Sequence, residues 1–347
     1  MQIRSRAPLR IGIAGGGTDL SSYSNDFGGA VFNVTIGMYA YCSIIPTTDN
    51  RIKITAYDNN NSLDCESVDH FDIVDENLIL HKGVYNRIVK DFNGGKPLSF
   101  IMSTSNDAPI GSGLGTSSTM VVAILEAFDK WLSLGLTPYE KAYLAYDIER
   151  NDLKLAGGKQ DQFSAVFGGF NLMEFKKNGN TIVNPLRLES QTINELECSL
   201  ILYYSGKSRS SAKIISEQIK NTQQKNEKTI EAMHKLKESA YEIKDYLLLG
   251  NIEGFAEVLR ETWENKKKTS AVVSNKNLEE TINYAMANGA EAVKVSGAGG
   301  GGFLMLYCNP INRQKLITAM EMRSGKIFPV KFSQSGAVSW VIGDKKI

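Results

Sequence analysis

Cysteine and histidine are scarce in this 347-residue sequence, and what there is lies scattered. Cys42, Cys65, Cys198 and Cys308 form no CxxC pair, and His70, His81 and His234 form no HExxH, so a structural zinc ribbon or a zincin helix is excluded. Net charge is missing too. Lysine plus arginine (39) almost cancels aspartate plus glutamate (38), which leaves no global field to attract a polyanion and argues against nucleic acid as a partner; any anion must be bound locally. Met1 is followed by polar, basic Gln2 to Arg6 rather than by the apolar run of a signal segment, so a reducing cytoplasm with buried thiols is the expected setting, without a membrane. Two common nucleotide motifs are absent. GxxxxGK[ST] needs a lysine that no position between Gly111 and Thr119 supplies, and Gly12 to Gly17 fails the GxGxxG spacing.

The composition that remains, 42% apolar and 22% charged, is that of an ordinary globular chain, and its length favours two domains sharing a cleft. Leu9 to Ile13 alternates like a strand and runs into the flexible Ala14 to Gly17. Val31 to Pro46 and Arg51 to Tyr57 read as sheet around a turn at Thr47 to Asn50. Helical spacing marks Gly83 to Phe92, Met120 to Leu132 and Thr137 to Leu155, the last with a start signal in Thr137, Pro138 and Glu140; Pro97 to Met102 reads as a strand. Asn178-Gly179-Asn180 signals a hairpin. The composition then shifts, placing a boundary near 190, with residues 1–190 and 191–347 as the two domains. Several helices are expected between Ala212 and Asn288, and strands at Ala292 to Ser296 and Phe303 to Tyr307. The Lys266-Lys267-Lys268 run reads as a solvated helix end, Trp131 and Trp263 as core, and His81 receives no role.

The richest chemistry lies in Pro109-Ile110-Gly111-Ser112-Gly113-Leu114-Gly115-Thr116-Ser117-Ser118-Thr119, glycines and hydroxyls directly ahead of a helix. Glycines let backbone N–H groups approach an anion, a helix start supplies unpaired donors, and hydroxyls suit phosphate oxygens or magnesium. This segment resembles the second signature of the galactokinase, homoserine kinase, mevalonate kinase and phosphomevalonate kinase (GHMP) superfamily. Arg6-Ala7-Pro8-Leu9-Arg10 through Thr18-Asp19-Leu20 resembles its first signature, and Lys294-Val295-Ser296-Gly297-Ala298-Gly299-Gly300-Gly301-Gly302 its third. The resemblance implies an α+β, two-domain GHMP kinase fold with the active site in the interdomain cleft, ATP as phosphoryl donor and Mg²⁺ as its partner.

Roles follow from the same resemblance. Pro109, Gly111, Ser112, Gly113, Leu114, Gly115, Thr116, Ser117 and Ser118 would cradle the nucleotide phosphates. Ser117 and Glu149 would ligate Mg²⁺, both being hard oxygen donors. Asp161 matches the catalytic aspartate and Arg10 the basic residue that pairs with it, holding the carboxylate ionised while it takes or orients the proton of the acceptor hydroxyl. Gly16, Gly17, Thr18, Asp19 and Lys159, with Ser296, Gly297, Ala298, Gly299 and Gly300 closing from the other domain, would bind the substrate.

Thr18-Asp19 is similar to the sugar kinase branch, which favours a polyol acceptor. With Phe27-Gly28-Gly29-Ala30-Val31 and Gly157-Gly158-Lys159-Gln160-Asp161, the chain more narrowly resembles bacterial D-glycero-D-manno-heptose 7-phosphate kinases, which phosphorylate the anomeric hydroxyl; L-fucokinase-like enzymes share much of the pattern, and a non-catalytic sugar sensor is the reading from another class. A sugar phosphate needs a pocket for its existing phosphate, for which Lys207 and Arg209 in Ser205-Gly206-Lys207-Ser208-Arg209-Ser210-Ser211 are candidates, set against a plain helix cap.

Overall fold

The computed structural model describes residues 1–74, 76–206 and 211–343. Its first part runs β1 (Gln2–Ala14), α1 (Ser21–Phe27), β2 (Gly29–Pro46), β3 (Arg51–Ala56), β4 (Asn61–Glu66), α2 (Ile79–Phe92), β5 (Phe100–Asn106), α3 (Thr116–Leu132), α4 (Pro138–Asp147), a π-helical turn (Ile148–Asp152), α5 (Gln160–Phe167), β6 (Phe170–Phe175) and β7 (Thr181–Pro185). The second runs α6 (Ser190–Ser199), β8 (Leu200–Tyr204), α7 (Ser211–Gln223), α8 (Glu227–Leu248), α9 (Ile252–Lys267), α10 (Lys276–Ala287), β9 (Ala292–Val295), β10 (Phe303–Tyr307), α11 (Arg313–Glu321), β11 (Lys326–Pro329) and β12 (Val338–Ile342).

Among the described residues the strands form two sheets, one ordered β12-β1-β2-β5-β3-β4 with β6 and β7 continuing from β2, the other β11-β8-β10-β9. β5 lies between β2 and β3, antiparallel to the first and parallel to the second, so the turn after Pro46 joins strands that are not neighbours. The last strand returns to the first sheet, β12 pairing antiparallel with the start of β1.

β1 shows how the two parts meet. Its first residues alternate between covered and open, whereas everything from Ala7 to Ala14 is buried on both faces. Strand alternation puts Leu9, Ile11 and Ile13 on one face, in an apolar cluster with Leu202 and Met305 of the second sheet and with Ala240 and Leu259 of α8 and α9. Arg10 points the other way, toward α5. The opposite side of the first sheet packs against α2 and α3, with Phe100, Val121 and Phe128 in its core. Apolar burial is thus continuous from one sheet to the other, the main favourable term in holding both around a shared cleft.

Local signals explain the elements that place the site. Thr137 opens α4 with a capping box, accepting from the Glu140 N–H while the Glu140 carboxylate accepts from the Thr137 N–H at 2.9 Å, and Pro138 occupies the first turn. Gly179 turns the β6–β7 hairpin at φ 85°. The thiols are free; Cys42 and Cys308 are buried as expected, but Cys198 is exposed on α6, which corrects the reading of all four as interior. No described helix is long and apolar enough to cross a membrane.

Candidate active site

A cavity of about 440 Å³ opens between the two parts, lined from the first by Arg10, Asp19, Ser117, Glu149 and Asp161 and from the second by Lys266, Gly297 and Ala298, among others. Its floor is the start of α5. Three consecutive residues there each fix one charged partner. Gln160 holds Asp19, its backbone N–H donating to Oδ2 at 3.1 Å and its side-chain amide to Oδ1 at 3.1 Å. Asp161 accepts from Arg10 Nε at 2.7 Å and lies 2.5 Å from Arg10 Nη2. Gln162 donates to Glu149 Oε2 and, at 3.1 Å, to Ser118 Oγ.

Arg10 also donates from Nη1 to the Gly113 carbonyl at 2.6 Å, so one guanidinium ties the carboxylate to the phosphate-type loop. Its planar fork permits this in a way a lysine would not. The Asp161 side chain is 24% exposed while that of Arg10 is 4% exposed: the carboxylate is open to the cavity and the guanidinium backs it.

The two glycine-rich loops lie backbone to backbone. A Cβ on Gly113, whose φ is 84°, would stand 2.4 Å from the Ser296 carbonyl oxygen, and one on Gly297 would stand 2.8 Å from that of Gly113. Ser296 Oγ donates to the Gly113 carbonyl at 3.0 Å, and the Phe303 N–H to that of Ser112 at 2.9 Å. The third signature therefore braces the second. Gly115 precedes α3 in a left-handed conformation with no side-chain cap, which leaves the helix start to backbone donors, and Ser117 is exposed there.

Glu149 sits in the π-helical turn, a geometry often found at functional sites, and is 2% exposed. Burial pushes its carboxyl above the usual range, opposed by Arg150 and by hydrogen bonds from Ser118 and Gln162.

Several expected substrate residues turn out to hold the scaffold. Thr18 is fully buried, its hydroxyl donating to the Gly15 and Ala30 carbonyls at 2.7 and 2.8 Å, so it shapes the loop that presents Asp19 and does not reach the cavity. Lys159 turns away, donating to the Gly179 carbonyl at 2.7 Å beside the Tyr146 ring. Ser112, Leu114 and Ser296 are likewise buried, while Pro109, Gly16, Gly299 and Gly300 lie outside the cavity wall. Gly111, Gly113, Gly115, Thr116, Ser117, Ser118, Gly17, Asp19, Gly297 and Ala298 do line it. Lys207 and Arg209 lie outside the described residues.

Sequence reasoning passed over Gln160, Gln162 and Arg150, although the Gln-Asp-Gln triplet around Asp161 was their signal. It also misplaced Lys266. That residue is 4% exposed, lines the cavity and donates to the Gly16 carbonyl at 2.8 Å, whereas Lys267 is half-buried in ion pairs with Glu264 and Glu279 and Lys268 is exposed. Lys294 is buried too, but it donates to the Gly12 carbonyl at 2.7 Å rather than into a phosphate cradle.

A family model of the GHMP kinases N terminal domain matches residues 77–169, and one of the GHMP kinases C terminal domain matches residues 231–337. A D-glycero-alpha-D-manno-heptose 7-phosphate kinase of Campylobacter jejuni is 43% identical over 340 residues, 98% of this chain and 99% of its own. The chain belongs to the GHMP kinase family. The crystal structure of a D-glycero-D-manno-heptose 1-phosphate kinase from Bacteroides thetaiotaomicron matches with a TM-score of 0.85 at 45% identity, covering 99% of this chain and 100% of that one. Methanococcus jannaschii mevalonate kinase, at 19% identity and a TM-score of 0.75 over 96% of this chain and 98% of its own, shares the fold. The two-domain GHMP kinase architecture expected from the three signatures is the one observed.

Proposed function

We propose that this GHMP kinase is an ATP-dependent sugar 1-kinase that phosphorylates the anomeric C1 hydroxyl of D-glycero-D-manno-heptose 7-phosphate, giving the 1,7-bisphosphate for nucleotide-activated heptose synthesis. The observation that carries it is the Arg10–Asp161 pair, 2.5–2.7 Å apart, set between the hydroxyl-rich loop and Asp19. The 43% identity to a heptose 7-phosphate kinase over nearly the whole chain supports the acceptor.

In this reading Asp19, fixed by Gln160 and by the Gly17 N–H at 3.1 Å, accepts hydrogen bonds from sugar hydroxyls. Asp161 orients the attacking hydroxyl and takes its proton as the new O–P bond forms, and Arg10 pairs with that carboxylate and holds it in place. The loop from Gly111 to Ser118 takes the nucleotide phosphates on its backbone N–H groups, and ADP leaves with the electrons of the broken bond. Positioning and charge stabilisation supply most of the acceleration, because a loose phosphoryl-transfer transition state asks little of a base.

Among the described residues no three acidic, cysteine or histidine side chains converge into a metal cage, so a metal here would share its ligands with phosphate. The donors fit Mg²⁺: Ser117 offers an exposed hydroxyl, and Glu149 is a carboxyl whose burial a divalent cation would offset. Bound there, Mg²⁺ would neutralise phosphate charge as it moves to the leaving group.

The test is ATP-to-ADP turnover against heptose 7-phosphate, heptose 1-phosphate, L-fucose, galactose and mannose, with the product read by phosphorus NMR. A C1 phosphate formed on heptose 7-phosphate is expected. Preference for an unphosphorylated sugar or a product phosphate elsewhere overturns the acceptor, and no turnover on any sugar overturns the activity.

A further inference from the structure

Buried cations around the acceptor side of the cavity include Arg10, Lys266 and Lys294. Arg10 has Asp161, and Lys294 spends its donors on the Gly12 and Val295 carbonyls. Lys266 differs. It stands in the last turn of α9, and among the described residues its ammonium has one hydrogen-bond acceptor, the Gly16 carbonyl, and no carboxylate within ion-pair distance. Asp19 acts on it through space but is not ion-paired with it, and accepts instead from the Gly17 N–H and from both donors of Gln160. A buried ammonium with one carbonyl for three N–H groups is costly to hold charged. Its pKa is accordingly lowered to about 8 by burial, with Asp19 raising it and Arg10 lowering it further. A neutral sugar gives no return for that cost, whereas an oxyanion does.

The position settles which oxyanion. Lys266 Nζ would lie 3.1 Å from a Cβ on Gly17, so it abuts the loop that presents Asp19 and not the 109–118 loop that faces the nucleotide. Ser211 and Ala212, at the start of α7, line the same cavity, and Gln218 Oε1 further along that helix would lie 3.7 Å from the same Gly17 Cβ. We propose that Lys266 is a specificity-determining residue that binds a phosphate oxygen already present on the acceptor, making the site select a sugar phosphate over a free sugar. This rests on the acceptor reading given above. The motif that drew attention to Lys207 and Arg209 is a different segment, and the assignment to Lys266 stands without it.

The experiment compares wild type with Lys266→Met, which keeps the aliphatic stem, on heptose 7-phosphate and on unphosphorylated heptose, with KM for each acceptor and for ATP. A hydrogen bond to a charged group is worth about 1.5–3 kcal/mol, so KM for heptose 7-phosphate should rise roughly 10- to 150-fold. KM for free heptose and for ATP should stay within about twofold, and Lys266→Arg should recover part of the loss. An equal rise for both acceptors would mean that Lys266 only clamps Gly16, a rise confined to ATP would put it on the nucleotide, and no change would remove it from the site; each of these overturns the proposal. Should the Met variant not fold, Lys266→Gln is read the same way. Binding is followed separately as the rise in Tm caused by heptose 7-phosphate, mannose 6-phosphate and glucose 6-phosphate. Without turnover the kinase reading falls, while Lys266 is still judged by whether its removal abolishes that rise; a wild-type protein stabilised by none of the three overturns it.

Discussion

Arg10 and Lys266 are buried to the same degree, 4% exposed each, in the walls of one cavity, yet they are partnered very differently. Arg10 is satisfied from within the chain, by Asp161 and by the Gly113 carbonyl. Lys266 has one carbonyl and a depressed pKa. The difference separates two kinds of functional cation. A paired one belongs to the chemistry and must stay in place through every turnover; an underpaired one spends its charge on what binds.

The largest effect should come from removing the partner that makes Arg10 what it is. Asp161→Asn should lower kcat about 10²- to 10⁴-fold while ATP still raises Tm; a loss under tenfold would mean that Asp161 has no part in the chemical step. Arg10→Lys makes the two cations chemically alike and sharpens the comparison. One charge remains but the fork to Asp161 and Gly113 is lost, so kcat should fall about 10- to 100-fold with KM for ATP little changed, measured by steady-state turnover. If the lysine serves equally well, charge alone matters at position 10.

Lys294 tests what burial without a ligand costs. Burial, with Lys266 and Arg10 adding repulsion, lowers its pKa in the fold to about 7, against about 10.4 in the unfolded chain. Between those values the unfolded chain holds a proton that the folded one has released, so stability rises with pH across that window; below pH 7 the cost of burying the charged amine is fully present. The slope attributable to Lys294 is at most about 1.4 kcal/mol per pH unit. Urea midpoints of wild type and Lys294→Met from pH 7 to 10 should therefore converge as pH rises, and parallel curves would show that the amine keeps its ordinary unfolded-chain pKa in the fold. The smallest effect is expected from Lys159→Met, since its ammonium is spent on the Gly179 carbonyl: KM for the sugar should stay within about twofold. A larger change would return Lys159 to the substrate site.

Much of this arrangement was legible one residue at a time. The capping box at Thr137 and the hairpin at Gly179 are local events, written in residues a few positions apart, and formed where the sequence placed them, whereas the helix after the glycine-rich loop begins at Thr116, inside the segment read as loop, and the helix opened at Thr137 ends at Asp147 in a π-helical turn. The family resemblance likewise pointed to Arg10, Asp19, Ser117, Glu149 and Asp161, which the fold brings around one cavity. Burial was harder to read. Lys266-Lys267-Lys268 looks like a solvated tail to a helix, but of the three Lys268 alone is exposed; Lys267 is half-buried in ion pairs with Glu264 and Glu279, and Lys266 is covered where α9 packs against the loop at Gly16, 250 residues earlier. Thr18 had the opposite fate, a site residue by its motif that the strand at Ala30 claimed for its own backbone.

The sequence by itself determined which chemical groups are available and in what local geometry: hydroxyls at a helix start, a carboxylate flanked by two amides, glycines where φ must be positive. Only the tertiary structure decided which of them meet. It brought Val338–Ile342 back to edge the sheet begun by β1, pressed Gly113 against Ser296, and left Lys266 facing the cavity with donors to spare. Those outcomes depend on contacts between distant segments, where burial and shape complementarity decide, and neither leaves a periodic trace in the chain.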